Sequence, residues 1–165
     1  MLTLRAARPD DLRILREWER APHVTAAGIA DWPWDEMLAS SVPWSEILIA
    51  EVNGRPMGVV QILDPAADPD AYWGACGPGL RALDIWIGEA AYLRRGHGRE
   101  MMRQAMERCF AEPLVEAILI DPLATNTDAH RFYEALGFRF EEARRFDDDL
   151  CHVYRLTRQQ WREGT

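Results

Sequence analysis

The segment TNTDAHRFYEALGF, Thr125 to Phe138, has an Asx residue next to its start, apolar side chains at helical spacing and a glycine next to its end. Ala129, Phe132, Tyr133 and Leu136 share one side of a 3.6-residue helix. Asn126 stands where a side-chain oxygen caps the first free N–H groups. Gly137 stands where such a helix stops. Immediately upstream, VEAILID reads as a strand that ends in the pair Asp121-Pro122.

Working back toward the N-terminus, YLRRGHGREMM (Tyr92 to Met102) places arginine and glycine directly before a second helix. Met101, Met102, Ala105, Met106, Cys109 and Phe110 give that helix an apolar face. Helix N-termini expose unpaired N–H groups, and glycine lets backbone wrap closely around an anion. Three readings stand: a phosphate cradle, a nucleic-acid patch, or a basic helix-capping loop. Neither a Walker A loop nor a dinucleotide fingerprint is present.

Before that loop, LRALDIWIGEA reads as a strand, and DPAADPDAYWGACGPG as a long polar loop. EILIAEV and RPMGVVQIL are strands joined at Asn53-Gly54, a strong hairpin signal. Leu2 to Ala6 is a short first strand, and Leu12, Leu15 and Trp18 mark the first helix. ADWPWDEMLASSVPW is a broken, tryptophan-rich stretch with a second short helix. FRFEEARRF and CHVYRLT close the pattern as strands around Asp147 to Asp149. This order predicts a single α/β domain over residues 1–165 with a mixed sheet.

The totals narrow the classes. The chain has 165 residues, 48% hydrophobic and 28% charged, which suits an ordered domain rather than a disordered one. Its formal net charge of -8 argues against a nucleic-acid partner, which would call for a basic surface, and suits a cationic one. Cys76, Cys109 and Cys151 offer neither a disulfide framework nor a metal pair, pointing to a reducing, cytoplasmic setting. No leader-like or membrane-spanning stretch is predicted. His23, His97, His130 and His152 lack metal-ligand spacing, so no metal is expected and they read as loop or surface residues.

Together the two helix motifs resemble the acetyl-CoA-binding core of the GNAT superfamily of N-acetyltransferases. The phosphate-loop form Q/R-x-x-G-x-G/A is matched by Arg95 and Gly98, with Glu100 standing where the family has a small residue. The later helix form is matched by Asn126, Ala129, Tyr133, Glu134, Gly137 and Phe138. Within the superfamily, the stretches from Asp70 to Ile87 and from Leu119 to Phe138 are similar to aminoglycoside 6'-N-acetyltransferases and to siderophore-assembly enzymes that acylate hydroxylated lysine. The resemblance implies a single-domain GNAT-like fold, a mixed, mostly antiparallel sheet of about six to seven strands flanked by about four helices. It also implies acetyl-CoA (coenzyme A) as cofactor.

The resemblance further implies a distribution of roles. Arg94, Arg95, Gly96, His97, Gly98 and Arg99 would hold the pyrophosphate, with Glu100 turned away from it. The backbone of Ile85, Trp86 and Ile87 would pair with the pantetheine arm, which Asn126 also contacts. Asp84 would be the base and Tyr133 the acid for the departing thiolate. Read from the residues alone, Asp84 sits in an apolar strand, where it either pairs with an arginine such as Arg81 or faces a cleft. Tyr133 alone would equally suit a core position with a bonded hydroxyl. Asp70, Tyr72 and Trp73 in the long loop, with Trp34 and Asp121, are the expected acceptor contacts, since acids bind ammonium groups and aromatic faces stack on rings or cations. The expected partner is a small, cationic amine, with no nucleic acid and no membrane, acting on a monomer or homodimer. Other acceptors stay open: a hydroxylated lysine, or a protein N-terminus. So does a non-catalytic CoA-binding sensor.

Overall fold

Asn53 and Gly54 take φ of 51° and 76°, the paired left-handed conformation that a two-residue hairpin requires. They join β2 (Ser45–Val52) to β3 (Arg55–Leu63) as the sequence predicts. A computed structural model describes residues 1–164 of the chain. The remaining elements are β1 (Leu2–Ala6), α1 (Leu12–Glu19), α2 (Pro22–Thr25), α3 (Trp34–Ala39), β4 (Leu80–Ile87), α4 (His97–Ala111), β5 (Ala117–Ile120), α5 (Thr127–Glu134), β6 (Arg139–Phe146), β7 (Asp149–Thr157) and α6 (Arg158–Gly164). The strands form one seven-stranded sheet in the order β1-β2-β3-β4-β5-β7-β6. β1 with β2, β5 with β7 and β6 with β7 are antiparallel, whereas β4 and β5 run parallel with Leu80–Ala82 opposite Ala117–Leu119. The mixed, mostly antiparallel α/β architecture is the expected one. Two helices lie beyond the expected number, the short α2 and α6.

Two compact units make up the chain: Met1–Ile62 with Asp84–Ala105, and Leu63–Leu83 with residues from Met106 on. In the first, Leu15, Trp18, Val24, Trp34, Ile49, Val59 and Trp86 form a core. The predicted α4 stripe is buried throughout: Met101, Met102 and Ala105 belong to the first unit, and Met106, Cys109 and Phe110 to the second. In the second unit every residue of β5 is buried, as are Cys151, Val153, Tyr154 and Leu156 of β7. Arg158 seals the end of α4 there. Its guanidinium donates to the carbonyls of Phe110 in the last turn of the helix (2.9 Å) and of Glu112 (2.5 Å) and Val115 (2.8 Å) in the segment that follows. Among the described residues, no helix is long and apolar enough to cross a membrane.

The exit from β4 is tightly fixed. Gly88 and Glu89 both donate their N–H groups to the Met57 carbonyl, at 2.9 and 3.1 Å. Trp18 Nε1 donates to Glu89 Oε1 at 2.8 Å, and His23 Nε2 lies 2.9 Å from the Ile87 carbonyl. A carbonyl only accepts, so Nε2 carries the His23 proton. A Cβ added to Gly88 would overlap the Trp18 ring, so only glycine fits. Gly88→Ala is therefore expected to destabilise the protein by about 3 kcal/mol through overpacking. Urea unfolding followed by tryptophan fluorescence checks this, and an unchanged midpoint would mean that the contact yields.

Candidate functional site

In the first unit, the end of β4 alternates its side chains, so Asp84 and Trp86 share one face while Ile85 and Ile87 share the other. Asp84 is half-buried and Trp86 is buried against Trp32 and Trp34, with ring centroids 5.0 and 5.9 Å away. Arg81 lies on the face opposite Asp84. Its guanidinium meets the Leu80 carbonyl at 2.7 Å and Asp64 at 3.5 Å. Past β4, a short 3₁₀ turn at Ala90–Tyr92 leads to the arginine–glycine loop.

Arg94 and Gly96 both adopt left-handed φ, 58° and 82°. Gly96 meets the need cheaply, because it has no Cβ to strain; Arg94 holds the same conformation at some cost. α4 then starts at His97, and its first internal bond runs from the Glu100 N–H to the Gly96 carbonyl at 3.3 Å. The N–H groups of the preceding turn, His97 to Arg99, belong to the helix end that lacks intrahelical acceptors. Arg94, Arg95 and Arg99 are exposed, and His97 is half-buried with its ring 5.4 Å from Tyr92. Glu100 is engaged within its own helix: Arg103 donates to it at 2.8 and 2.6 Å and Gln104 at 2.8 Å. Those bonds, Arg103 first, pull its carboxyl down to about 2.

In the second unit, Asn126 caps α5, its Oδ1 accepting the Ala129 N–H at 3.2 Å. Tyr133 is buried, its ring against Phe132 and Phe138 at 5.2 and 5.9 Å. A second group forms around Asp121. The Tyr72 hydroxyl donates to Asp121 Oδ2 at 2.6 Å, and the Tyr72 ring stacks on Phe146 at 4.6 Å and 11°. Trp73 meets Phe146 edge-on at 5.2 Å, and the Arg144 guanidinium lies 5.6 Å from the Phe146 ring centre. Burial raises the Asp121 carboxyl to about 6, against the opposing pull of Tyr72 and Arg144. Cys151, desolvated and close to Asp121 and Asp149, is pushed up to about 11, so its thiol is a poor nucleophile.

Of the expected acceptor contacts, Tyr72, Trp73 and Asp121 thus come together. Asp70 is exposed, and its N–H is bound by Asp68, whose second oxygen receives the Tyr72 N–H. Asp68 therefore shapes the loop that presents Tyr72. Trp34 is a core residue of the first unit, 1% exposed, which counts against its meeting an acceptor. Phe146 and Arg144 were not foreseen. They sit at the end of a strand whose sequence gives no sign that it lies beside residue 72. Among the described residues, no cluster of three or more His, Cys, Asp or Glu side chains suits a metal ion.

Residues 8–146 match the model of the acetyltransferase (GNAT) domain. The chain is 31% identical over 151 residues to aminoglycoside N(6')-acetyltransferase type 1 of Klebsiella pneumoniae, covering 83% of this chain and 73% of that one. It is 29% identical over 143 residues to the lysine N-acyltransferase MbtK of Mycolicibacterium paratuberculosis, covering 83% and 65%. The structure superposes with a TM-score of 0.87 and 28% identity on the aminoglycoside acetyltransferase AAC(6')-Ib in complex with coenzyme A and kanamycin, covering 99% of this chain and 98% of that one. The chain belongs to the GNAT acetyltransferase family. It is an acyltransferase, similar to the aminoglycoside 6'-N-acetyltransferases.

The raised carboxyl of Asp121 has a stability sign of its own. The folded state holds this proton up to about pH 6, while an unfolded aspartate releases it near its ordinary value of 3.8. Stability thus falls as pH rises through that interval and stays lower above it. Asp121→Asn is expected to remove the fall and to raise Tm at pH 7.5 by about 2–4 °C. Thermal melts between pH 4 and pH 8 check this, and a lower Tm for the variant at pH 7.5 would refute it.

Proposed function

We propose that the protein transfers an acetyl group from acetyl-CoA directly to a primary amine on a small cationic acceptor, the 6'-amine of an aminoglycoside foremost. The observation that carries the acceptor class is the Tyr72–Asp121 pair beside the stacked Tyr72 and Phe146 rings. A carboxylate next to an aromatic wall suits an ammonium group borne on a sugar-like ring. The net charge of -8 draws such cations in. The similarity to aminoglycoside acetyltransferases supports the same reading.

For the cofactor, the helix start at His97–Arg99 offers backbone donors, with Arg94, Arg95 and Arg99 adding positive charge. A Cβ on Gly96 would meet nothing within 4 Å, so the loop leaves room for a phosphate. Glu100, held by Arg103 and Gln104, is kept from opposing it. The backbone of Ile85 to Ile87 serves the pantetheine arm by strand addition, with the Ile87 carbonyl already bonded to His23. The amide nitrogen of Asn126, whose Oδ1 is taken by the helix cap, is a donor to the same arm.

Bound acetyl-CoA supplies a thioester carbonyl: the acceptor nitrogen bonds to its carbon, the C–S bond breaks, and the amine loses a proton. Asp84 takes that proton, directly or through water. The Tyr133 hydroxyl gives one to the departing sulfur and recovers it from solvent. No covalent enzyme intermediate is needed, and none of the three cysteines serves as nucleophile. A hydroxylated-lysine side chain is the second acceptor to consider, on the similarity to MbtK.

Release of free thiol from acetyl-CoA over a panel of aminoglycosides, polyamines, hydroxylysine and an N-terminal peptide tests the proposal. Turnover is expected with an aminoglycoside. Tyr133→Phe and Asp84→Asn should each lower kcat about 10²-fold or more, as loss of a general acid or base does. Turnover on hydroxylysine alone would shift the assignment to that acceptor. Coenzyme A binding without turnover on any amine would favour a sensor.

A further inference from the structure

The turn Asp121–Asn126 joins β5 to α5 and carries two residues given roles above, Asp121 and Asn126. It is held from two sides. On the β7 side, His152 donates its N–H to the Pro122 carbonyl at 2.9 Å, and Ala124 donates to the Leu150 carbonyl at 2.8 Å. Leu123 also forms an isolated bridge with Cys151. On the α5 side, the Leu123 carbonyl is the common acceptor. It receives the Asn126 N–H at 2.9 Å and lies 3.0 Å from His130 Nε2. Since a carbonyl only accepts, His130 carries its proton on Nε2.

The His130 ring is not at liberty to turn. It stacks on His152 with centroids 4.6 Å apart and planes at 17°, and it lies 5.7 Å from the Tyr154 ring. Phe140 meets His152 edge-on at 5.1 Å and Tyr154 at 5.8 Å. The Tyr154 hydroxyl donates to Glu134 Oε1 at 3.0 Å, and Glu134 sits one helical turn beyond His130 on α5. Burial, and then Glu134, raise that hydroxyl to about 12, so it keeps its proton and stays a donor. His130 thus has a plane set by His152, a place along α5 set by the helix, and a single acceptor in front of Nε2. A purely apolar residue would pack in the same position but would leave the Leu123 carbonyl with one donor fewer.

We infer that His130 is a positioning residue: its Nε2–H holds the Leu123 carbonyl and thereby sets the geometry of the turn that carries Asp121 and Asn126, with His152 as the plate that keeps the imidazole in register. The consequence for catalysis rests on the roles proposed for those two residues; the hold on the turn does not.

The test compares His130→Ala with His130→Gln, whose side-chain amide restores a donor near Nε2. With the intact protein, His130→Ala is expected to raise KM for acetyl-CoA and for the amine about tenfold, the worth of one such bond, with kcat changed less than about threefold. His130→Gln should return both KM values to within about twofold of the parent. Hydrogen exchange at backbone amides 123–126 should quicken in His130→Ala and recover in His130→Gln. Equal losses in both variants would mean that His130 acts by bulk alone, and unchanged kinetics and exchange in His130→Ala would mean that it holds nothing; either overturns the inference. If the parent acetylates no amine, the proposed function fails, while the exchange comparison still decides whether His130 holds the turn.

Discussion

The first unit depends on a contact that leaves no room for a side chain. Where β4 ends, Gly88 lies against the Trp18 ring, and its N–H and that of Glu89 converge on the Met57 carbonyl. Trp18 then reaches Glu89 with its indole nitrogen, and His23 takes the Ile87 carbonyl. Side chains from α1 and α2 therefore fix where β4 stops. The arginine–glycine loop, reached through the 3₁₀ turn at Ala90–Tyr92, inherits that position, and with it the direction in which α4 offers its N-terminal N–H groups. Backbone approach of this kind is stiff, because neither the carbonyl nor the indole can give way without losing a bond as well as a contact.

The second unit is governed by a different tension. Asp121 is held partly out of water at the end of β5, with Tyr72 as its donor and a stacked aromatic pair alongside. A carboxylate in such a place costs stability when ionised, yet ionised is the form that attracts an ammonium group. A core built for stability alone would have neutralised or removed it. The aromatic rings beside it do not relieve that cost, and the Tyr72 hydroxyl offsets only part of it.

Much of this was legible in the sequence, for reasons that lie in local physics. The α4 stripe from Met101 to Phe110, the Asn53-Gly54 turn and the Asn126 cap are each fixed by neighbours within a few residues, so periodicity and turn chemistry suffice to find them. The grouping of Tyr72, Trp73 and Asp121 was also anticipated, as residue types suited to one ligand. Phe146 and Arg144 were not, because their place beside Tyr72 depends on how strands distant in sequence pair. Trp34 shows the limit from another side: a tryptophan in a polar, broken stretch reads as a ligand contact, and the structure places its ring in a core with Trp32 and Trp86. The histidines read as loop or surface residues, yet His23 and His130 each hold a backbone carbonyl. Composition alone cannot distinguish a solvated imidazole from one that buttresses a turn.

The strand order within the second unit bears on how the protein is made. β7 lies between β5 and β6, although it follows both in the chain. Until β7 emerges during synthesis, β5 lacks its antiparallel neighbour on that side and β6 has nothing to pair with, so their backbone groups stay with water. The carbonyls of Phe110, Glu112 and Val115 wait still longer for the Arg158 guanidinium. Local helices such as α5 can form earlier, but the sheet that anchors them closes late, through contacts far apart in sequence. A nascent chain paused before β7 would leave β5, apolar along its whole length, without that neighbour, which makes the interval before its arrival one in which a chaperone has something to protect.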